Sequence, residues 1–168
     1  GRQHRDGDRP TTVRPDGSQE WWRNGMRHRD GDLPAVIRAG GSQEWYKRDQ
    51  LHRDGDRPAE ILADGSQAWC QRGRLHRDGD RPAYFGADGT REWYRFGRLH
   101  RAGDQPAVVE ADGTRHWFQY GLRHRDNGQP AIIRPDGARE WYQTGERDLC
   151  FSALFHDASA AVRNCLKS

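Results

Sequence analysis

His52-Arg53-Asp54-Gly55-Asp56 places an imidazole, a guanidinium and two carboxylates within five positions, and near-copies start at His4, His28, His76, His100 and His124. Three chemistries use such residues. His-Arg-Asp is the catalytic-loop tripeptide of protein kinases, but that chemistry also needs a Gly-rich loop and an Asp-Phe-Gly, and neither occurs here. Asp78-Gly79-Asp80 has the look of a calcium loop. Calcium wants six or more oxygen ligands and commonly a bidentate carboxylate, whereas Arg77 and Arg81 flank this pair, so Arg–Asp ion pairing in a turn is the better reading. Zinc would need several His or Cys around one ion at about 2 Å. Each copy has one ladder His, and equivalent residues two strands apart in a sheet are roughly 10 Å apart. The periodic His residues therefore read as a structural ladder, while His116 and His156 lie off it. Ser18, Ser42 and Ser66 give way to Thr90, Thr114 and Ala138, which suits a turn residue and would disable a nucleophile. The expectation is a protein without enzyme activity, metal or cofactor.

What positions these residues is a strict repeat. The ladder from His4 to His124 steps by 24 residues without insertion, as do Pro10, Pro34, Pro58, Pro82, Pro106 and Pro130. So do Trp21, Trp45, Trp69, Trp93, Trp117 and Trp141, the expected structural core. A period of roughly 20–50 residues marks a stacked array of supersecondary units. The chain is 33% hydrophobic and 32% charged, with mean hydropathy −1.19, so its core must be a narrow aromatic seam. Net charge is only +3, and the charges within a copy offset one another, which argues against a nucleic-acid-binding stripe. No apolar run approaches the roughly 20 residues of a membrane span. No signal peptide is recognisable at the start, and with few cysteines an intracellular setting is the expectation.

Within a copy, two hairpin signals alternate with a polar link. Asp88-Gly89 between Pro82–Phe85 and Thr90–Arg95 predicts a hairpin with a three-residue loop, Ala87-Asp88-Gly89, that sets Ala83 opposite Trp93. The same loop applied to Arg95-Phe96-Gly97 sets Leu99 opposite Trp93. One face then carries Ala83, Phe85, Trp93 and Leu99, and the other Tyr84, Tyr94 and His100. Ile37, Ile61, Phe85, Val109 and Ile133 are always apolar while their predecessors vary from Val36 to Glu60 to Tyr84, which marks the predecessors as the wetter face. Asp49 in place of the turn Gly suits a left-handed position, which Asp tolerates better than most residues, whereas Arg27 and Arg123 in place of Leu predict a shifted register in the first and fifth copies. Gly40-Gly41 predicts a looser hairpin.

The expected fold is all-β: an elongated, single-layer antiparallel meander of six 24-residue hairpin repeats over 1–145. A capping segment over 146–168 follows, with Leu154, Ala158, Ala161, Val162, Cys165 and Leu166 at helical spacing behind an Asp157 N-cap. Cys70 is a small stand-in for the aromatic of other copies, and Cys150 and Cys165 read as two buried thiols, with a disulfide between them the alternative. The outward row, Tyr46, Tyr94, Phe118 and Tyr142 beside His52, His76, His100 and His124, is the candidate partner-binding strip. A protein partner is expected, nucleic acid is not, and a membrane surface is the alternative.

The core Gly89-Thr-Arg-Glu-Trp-Tyr-Arg-Phe-Gly97, followed by Leu-His-Arg and Pro-Ala, resembles the variant MORN repeat of bacterial antitoxin-like proteins and of large DNA viruses. The resemblance covers about residues 1–145. It implies a sheet of repeated hairpins serving as a scaffold for protein contacts, of antitoxin or immunity kind, or for anionic phospholipid. It supplies no defined active site.

Overall fold

The structure is a computed structural model that describes residues 8–148. The chain divides into two compact units, Gly1–Gly97 and Arg98–Ser168. In the first, eight two-residue strands pair antiparallel in chain order: Thr12–Val13, Gln19–Glu20, Val36–Ile37, Gln43–Glu44, Glu60–Ile61, Gln67–Ala68, Tyr84–Phe85 and Arg91–Glu92. In the second, Val108–Val109, Arg115–His116, Ile132–Ile133 and Arg139–Glu140 pair in the same way. Two such strands make the first hairpin of a copy.

The register of that hairpin follows the turn chemistry of Asp-Gly. Tyr84 faces Glu92 and Phe85 faces Arg91, which leaves the three-residue loop Ala87-Asp88-Gly89. The Gly86 N–H donates to the Thr90 carbonyl (2.8 Å), and Gly89 takes φ +93, a conformation cheap only for glycine. The Asp88 carboxylate accepts the Thr90 N–H at 2.8 Å, the Asx-turn that makes Asp the natural residue here. The Gly40-Gly41 copy closes with the same backbone bond, Arg38 N–H to Ser42 carbonyl at 2.9 Å, but Gly40 has no carboxylate for the Ser42 N–H, so the Asx-turn of the other copies is missing there.

At Trp the chain leaves the sheet, and here the expected meander needs correcting. The Trp69 N–H donates to the Ala83 carbonyl of the next copy (2.7 Å), and the following residues form a separate two-stranded hairpin. Cys70 faces Leu75 and Gln71 faces Arg74 across a two-residue turn, not the expected three-residue loop. Leu therefore pairs with the aromatic position after Trp, as in Tyr46 with Leu51. His closes onto Trp instead, the His76 N–H donating to the Trp69 carbonyl at 2.9 Å. Both turn residues have positive φ, as a type I′ turn demands: Arg72 +52 with Gly73 +73, and Phe96 +50 with Gly97 +83. Trp22 with Arg27 and Phe118 with Arg123 keep this register, so no copy is shifted. Asp49, φ +60, fits the same turn and turns its carboxylate onto Arg27 at 2.6 Å.

The second hairpins cover one sheet face, and that face is the drier one. Ala59, Ala68 and Cys70 form a buried cluster against which Leu51, Leu75 and Tyr84 pack. Val36, Val108 and Ile132 are buried, whereas Phe85 is 43% exposed, the reverse of the expected assignment. The cross-section is thus two-layered. All six periodic Trp residues are buried. The last hairpin runs past Gly145, Tyr142–Gln143 pairing with Glu146–Arg147. The expected capping helix, with Cys150 and Cys165, lies outside the described residues; among those described there is no helix.

Candidate interaction surfaces

The His-Arg-Asp-Gly-Asp string is a staple between copies. Its second Asp takes a left-handed conformation (Asp56, φ +53), which Asp tolerates better than most residues. That turn aims the Asp56 carbonyl at the Trp69 indole N–H (3.2 Å) and its carboxylate at Arg77 of the following copy, 2.7 and 3.0 Å. The Arg77 guanidinium lies 3.9 Å from the Trp69 ring centroid and also donates to the Pro82 carbonyl. Arg29, Arg53 and Arg125 repeat the arrangement on Trp21, Trp45 and Trp117. The arginines of this string thus pair with the preceding copy, while Arg38–Glu44 and Lys47–Asp54 offset charge within one. Hydrogen bonding from these arginines holds the Asp32, Asp56 and Asp104 carboxyls below their usual range. The open grooves between successive strings, about 200 and 260 Å³, are smaller than typical ligand clefts of about 300–1,000 Å³ and are walled by these paired charges. Among the described residues, no three His, Cys, Asp or Glu side chains converge to hold a metal ion.

The ladder histidines belong to the same framework. His52, His76 and His124 are largely covered, and each Nε2 meets the carboxylate two residues on: Asp54 at 2.9 Å, Asp78 at 3.1 Å and Asp126 at 2.9 Å. The turn residue of the next hairpin caps the ring, Phe96 on His76 and Tyr120 on His100, both with centroids 4.4 Å apart. Tyr46, Tyr94 and Tyr142 are half-buried, their hydroxyls donating to Glu44 (2.6 Å), Glu92 (2.8 Å) and Glu140 (3.0 Å). Burial and the Glu44 and Glu92 carboxylates push the Tyr46 and Tyr94 hydroxyls well above the usual tyrosine range. Phe118 is likewise half-buried, 6.4 Å from the His116 ring. Instead of forming one open strip, the eight candidate residues divide between the layers and the ladder.

Two groups escaped the sequence reading. The Ser18, Ser42 and Ser66 hydroxyls accept the N–H groups of Ala39, Ala63 and Ala87, each at 3.0 Å, and so link one first hairpin to the next. His116, off the ladder, is buried where four other copies place Glu and one Ala68, and its Nε2 meets Glu110 at 2.7 Å.

Open surface remains in two places. The uncovered sheet face of the first unit alternates Val13, Ile37, Ile61 and Phe85 with Gln19, Gln43, Gln67 and Arg91 as cross-strand neighbours. In the second unit the same face alternates Val109 and Ile133 with Arg115 and Arg139. The other place is the outer side of the second hairpins, where Phe96 and Tyr120 are 55% and 56% exposed. No protein-family model matches the chain, and no curated protein matches it significantly.

Proposed function

We propose that this chain is a non-enzymatic scaffold of the variant MORN kind, which binds a protein partner of antitoxin or immunity type along the uncovered face of its hairpin sheet. The observation that carries this reading is the contrast between the two sheet faces of the first unit. One is roofed by second hairpins. The other presents Ile37, Ile61 and Phe85 in cross-strand alternation with Gln43 and Gln67. Apolar rows of this kind mark interaction sites in soluble proteins. The amides between them can hydrogen-bond a partner's backbone, and the roughly 10 Å spacing of equivalent residues repeats the pattern along the array.

The test is affinity capture from the source cell with wild type, Ile61→Glu, and Lys47→Glu on the opposite layer. A partner retained by wild type and K47E but lost by I61E supports the proposal. Equal capture by all three, or strong salt-sensitive pelleting with anionic liposomes in place of protein capture, would sink it.

A further inference from the structure

The second-hairpin layer of the first unit gathers unpaired cations at the third and fourth copies, beyond the single Arg48 at the tip of the second. On the outer side of successive hairpins, Arg23 donates to Asp30, Lys47 to Asp54 and Gln71 to Asp78. Each acceptor lies seven residues on. After Arg95 the residue seven on is Ala102. Arg74 faces Gln71 across the same outer surface, and Arg72 is the tip of that hairpin. Among the described residues none of the Arg72, Arg74 and Arg95 side chains makes a hydrogen bond or ion pair, and all three residues are exposed.

Backbone geometry brings these two hairpins together. The Gly97 N–H donates to the Leu75 carbonyl at 2.8 Å. A Cβ at Gly97 would stand 3.6 Å from that of Arg74, so the Arg74 stem lies against the neighbouring tip. Between them sits Phe96, one ring face stacked on His76 at an interplanar angle of 14° and the other open to solvent. His76 is itself fixed by Asp78 and by its N–H to Trp69. The ring is therefore held in place before any ligand arrives, which lowers the ordering cost of binding.

We propose that Arg72, Arg74, Arg95 and Phe96 form a docking site for a short acidic peptide segment of a partner protein. Two or three carboxylates would take charge-assisted hydrogen bonds from the guanidiniums, and an apolar side chain would cover the Phe96 ring. Arg and aromatic side chains are the residues that dominate binding energy at protein interfaces. A nucleic-acid strand fits less well. It would run on over neighbouring hairpins, where the side chains of Asp30, Asp54 and Asp78 are 79%, 68% and 75% exposed and would repel its phosphates. This site faces away from the uncovered sheet and does not rest on the role proposed for that sheet.

The experiment is fluorescence anisotropy with a labelled nonapeptide holding four Glu around one Phe, against the full chain. Binding is expected to weaken at least about tenfold in the R72Q/R74Q/R95Q variant and about fivefold in F96A, with F96Y close to wild type. It should also weaken severalfold between about 50 and 300 mM NaCl. Lys47→Gln, which removes an already paired cation, should leave binding unchanged. Circular dichroism of each variant checks that the exposed substitutions leave the fold intact. The proposal is overturned if the wild type fails to bind the peptide or the triple variant binds it as the wild type does. It is equally overturned if a twelve-residue oligothymidylate binds more tightly than the peptide at the same arginines.

Discussion

Arg77→Lys tests the staple directly, because it keeps the charge and removes the planar fork. Three contacts are at stake. The stack on Trp69, at 3.9 Å from the ring centroid, is largely desolvated, the Arg77 side chain being 17% exposed, and a cation on an aromatic face in such a setting is worth about 1–2 kcal/mol. The bond to the Pro82 carbonyl, 3.3 Å, adds about 1 kcal/mol. The pair with Asp56 counts for little, about 0.5 kcal/mol, because that carboxylate is 36% exposed and screened by solvent. A lysine recovers part of the first and third contributions, so the substitution should cost about 2 kcal/mol, read as a lower midpoint in urea at unchanged slope. Asp56→Asn, which preserves the left-handed turn and the carbonyl for Trp69, should cost about 0.5 kcal/mol. The coupling between the two in a double-mutant cycle should be about 0.5 kcal/mol and shrink in 1 M NaCl, while the larger part of the Arg77 loss persists. A loss below about 0.5 kcal/mol for Arg77→Lys would refute the staple as a main source of stability.

Three further outcomes are expected. Asp32, Asp56 and Asp104 have depressed native pKa values, so their contribution is complete above the unfolded value of about 3.9 and is lost as pH falls through the native values. Urea midpoints should hold from about pH 7 to 5 and then drop; a flat profile to pH 3 would contradict this. Thr144 sits at φ +47, where a β-branched residue is strained, and Thr144→Asn should stabilise by about 1 kcal/mol, raising Tm by a few degrees. Ser66→Ala orphans the Ala87 N–H and should cost about 1–2 kcal/mol by chemical denaturation; a neutral result would mean that water replaces the hydroxyl.

How much was legible in the sequence depends on whether one residue type carries its own geometry. Asp88-Gly89 does: Asp makes the Asx-turn and Gly takes the positive φ, so the first register was readable. The second turn was not, because nothing in Arg72, Phe96 or Tyr120 as residue types announces φ near +50. A left-handed conformation costs such residues about 1–2 kcal/mol, and what offsets it for Phe96 and Tyr120 is stacking on a histidine 20 residues earlier. Misreading that turn moved Leu from Tyr to Trp and put the candidate Tyr and His residues on an open face. The drier face was misassigned for a related reason: a single-layer sheet gives no cause for Val36 or Ile132 to be more buried than Ile37 or Ile133, and the roof of second hairpins does.

The variability across copies carries information that a search for constant positions discards. Where the residue after Trp has a polar hydrogen, the residue two before it is Glu, and that carboxylate accepts the bond: Trp22 to Glu20 at 3.0 Å, Tyr46 to Glu44, Tyr94 to Glu92, Tyr142 to Glu140. Where the donor is missing, Glu is missing too. Cys70 goes with Ala68, and Phe118 with His116, which turns to Glu110 instead. The cross-hairpin position follows suit in most copies: Arg14, Arg38 and Arg134 pair with a Glu and Leu62 accompanies Ala68, while the fourth copy departs, with Gly86 opposite Glu92. Tyr84 of the fourth copy packs against the third-copy cluster of Ala59, Ala68 and Cys70, its bulk set against their small side chains. A buried carboxylate without a donor is costly and a void is costly, which favours change in sets between the layers, although Glu60 is half-buried with no donor and Glu92 keeps its place beside Gly86. The inter-layer space is thus written in correlated differences between copies, and the surface free to diverge for a partner is what lies outside those sets: the uncovered sheet face and the arginines around Phe96.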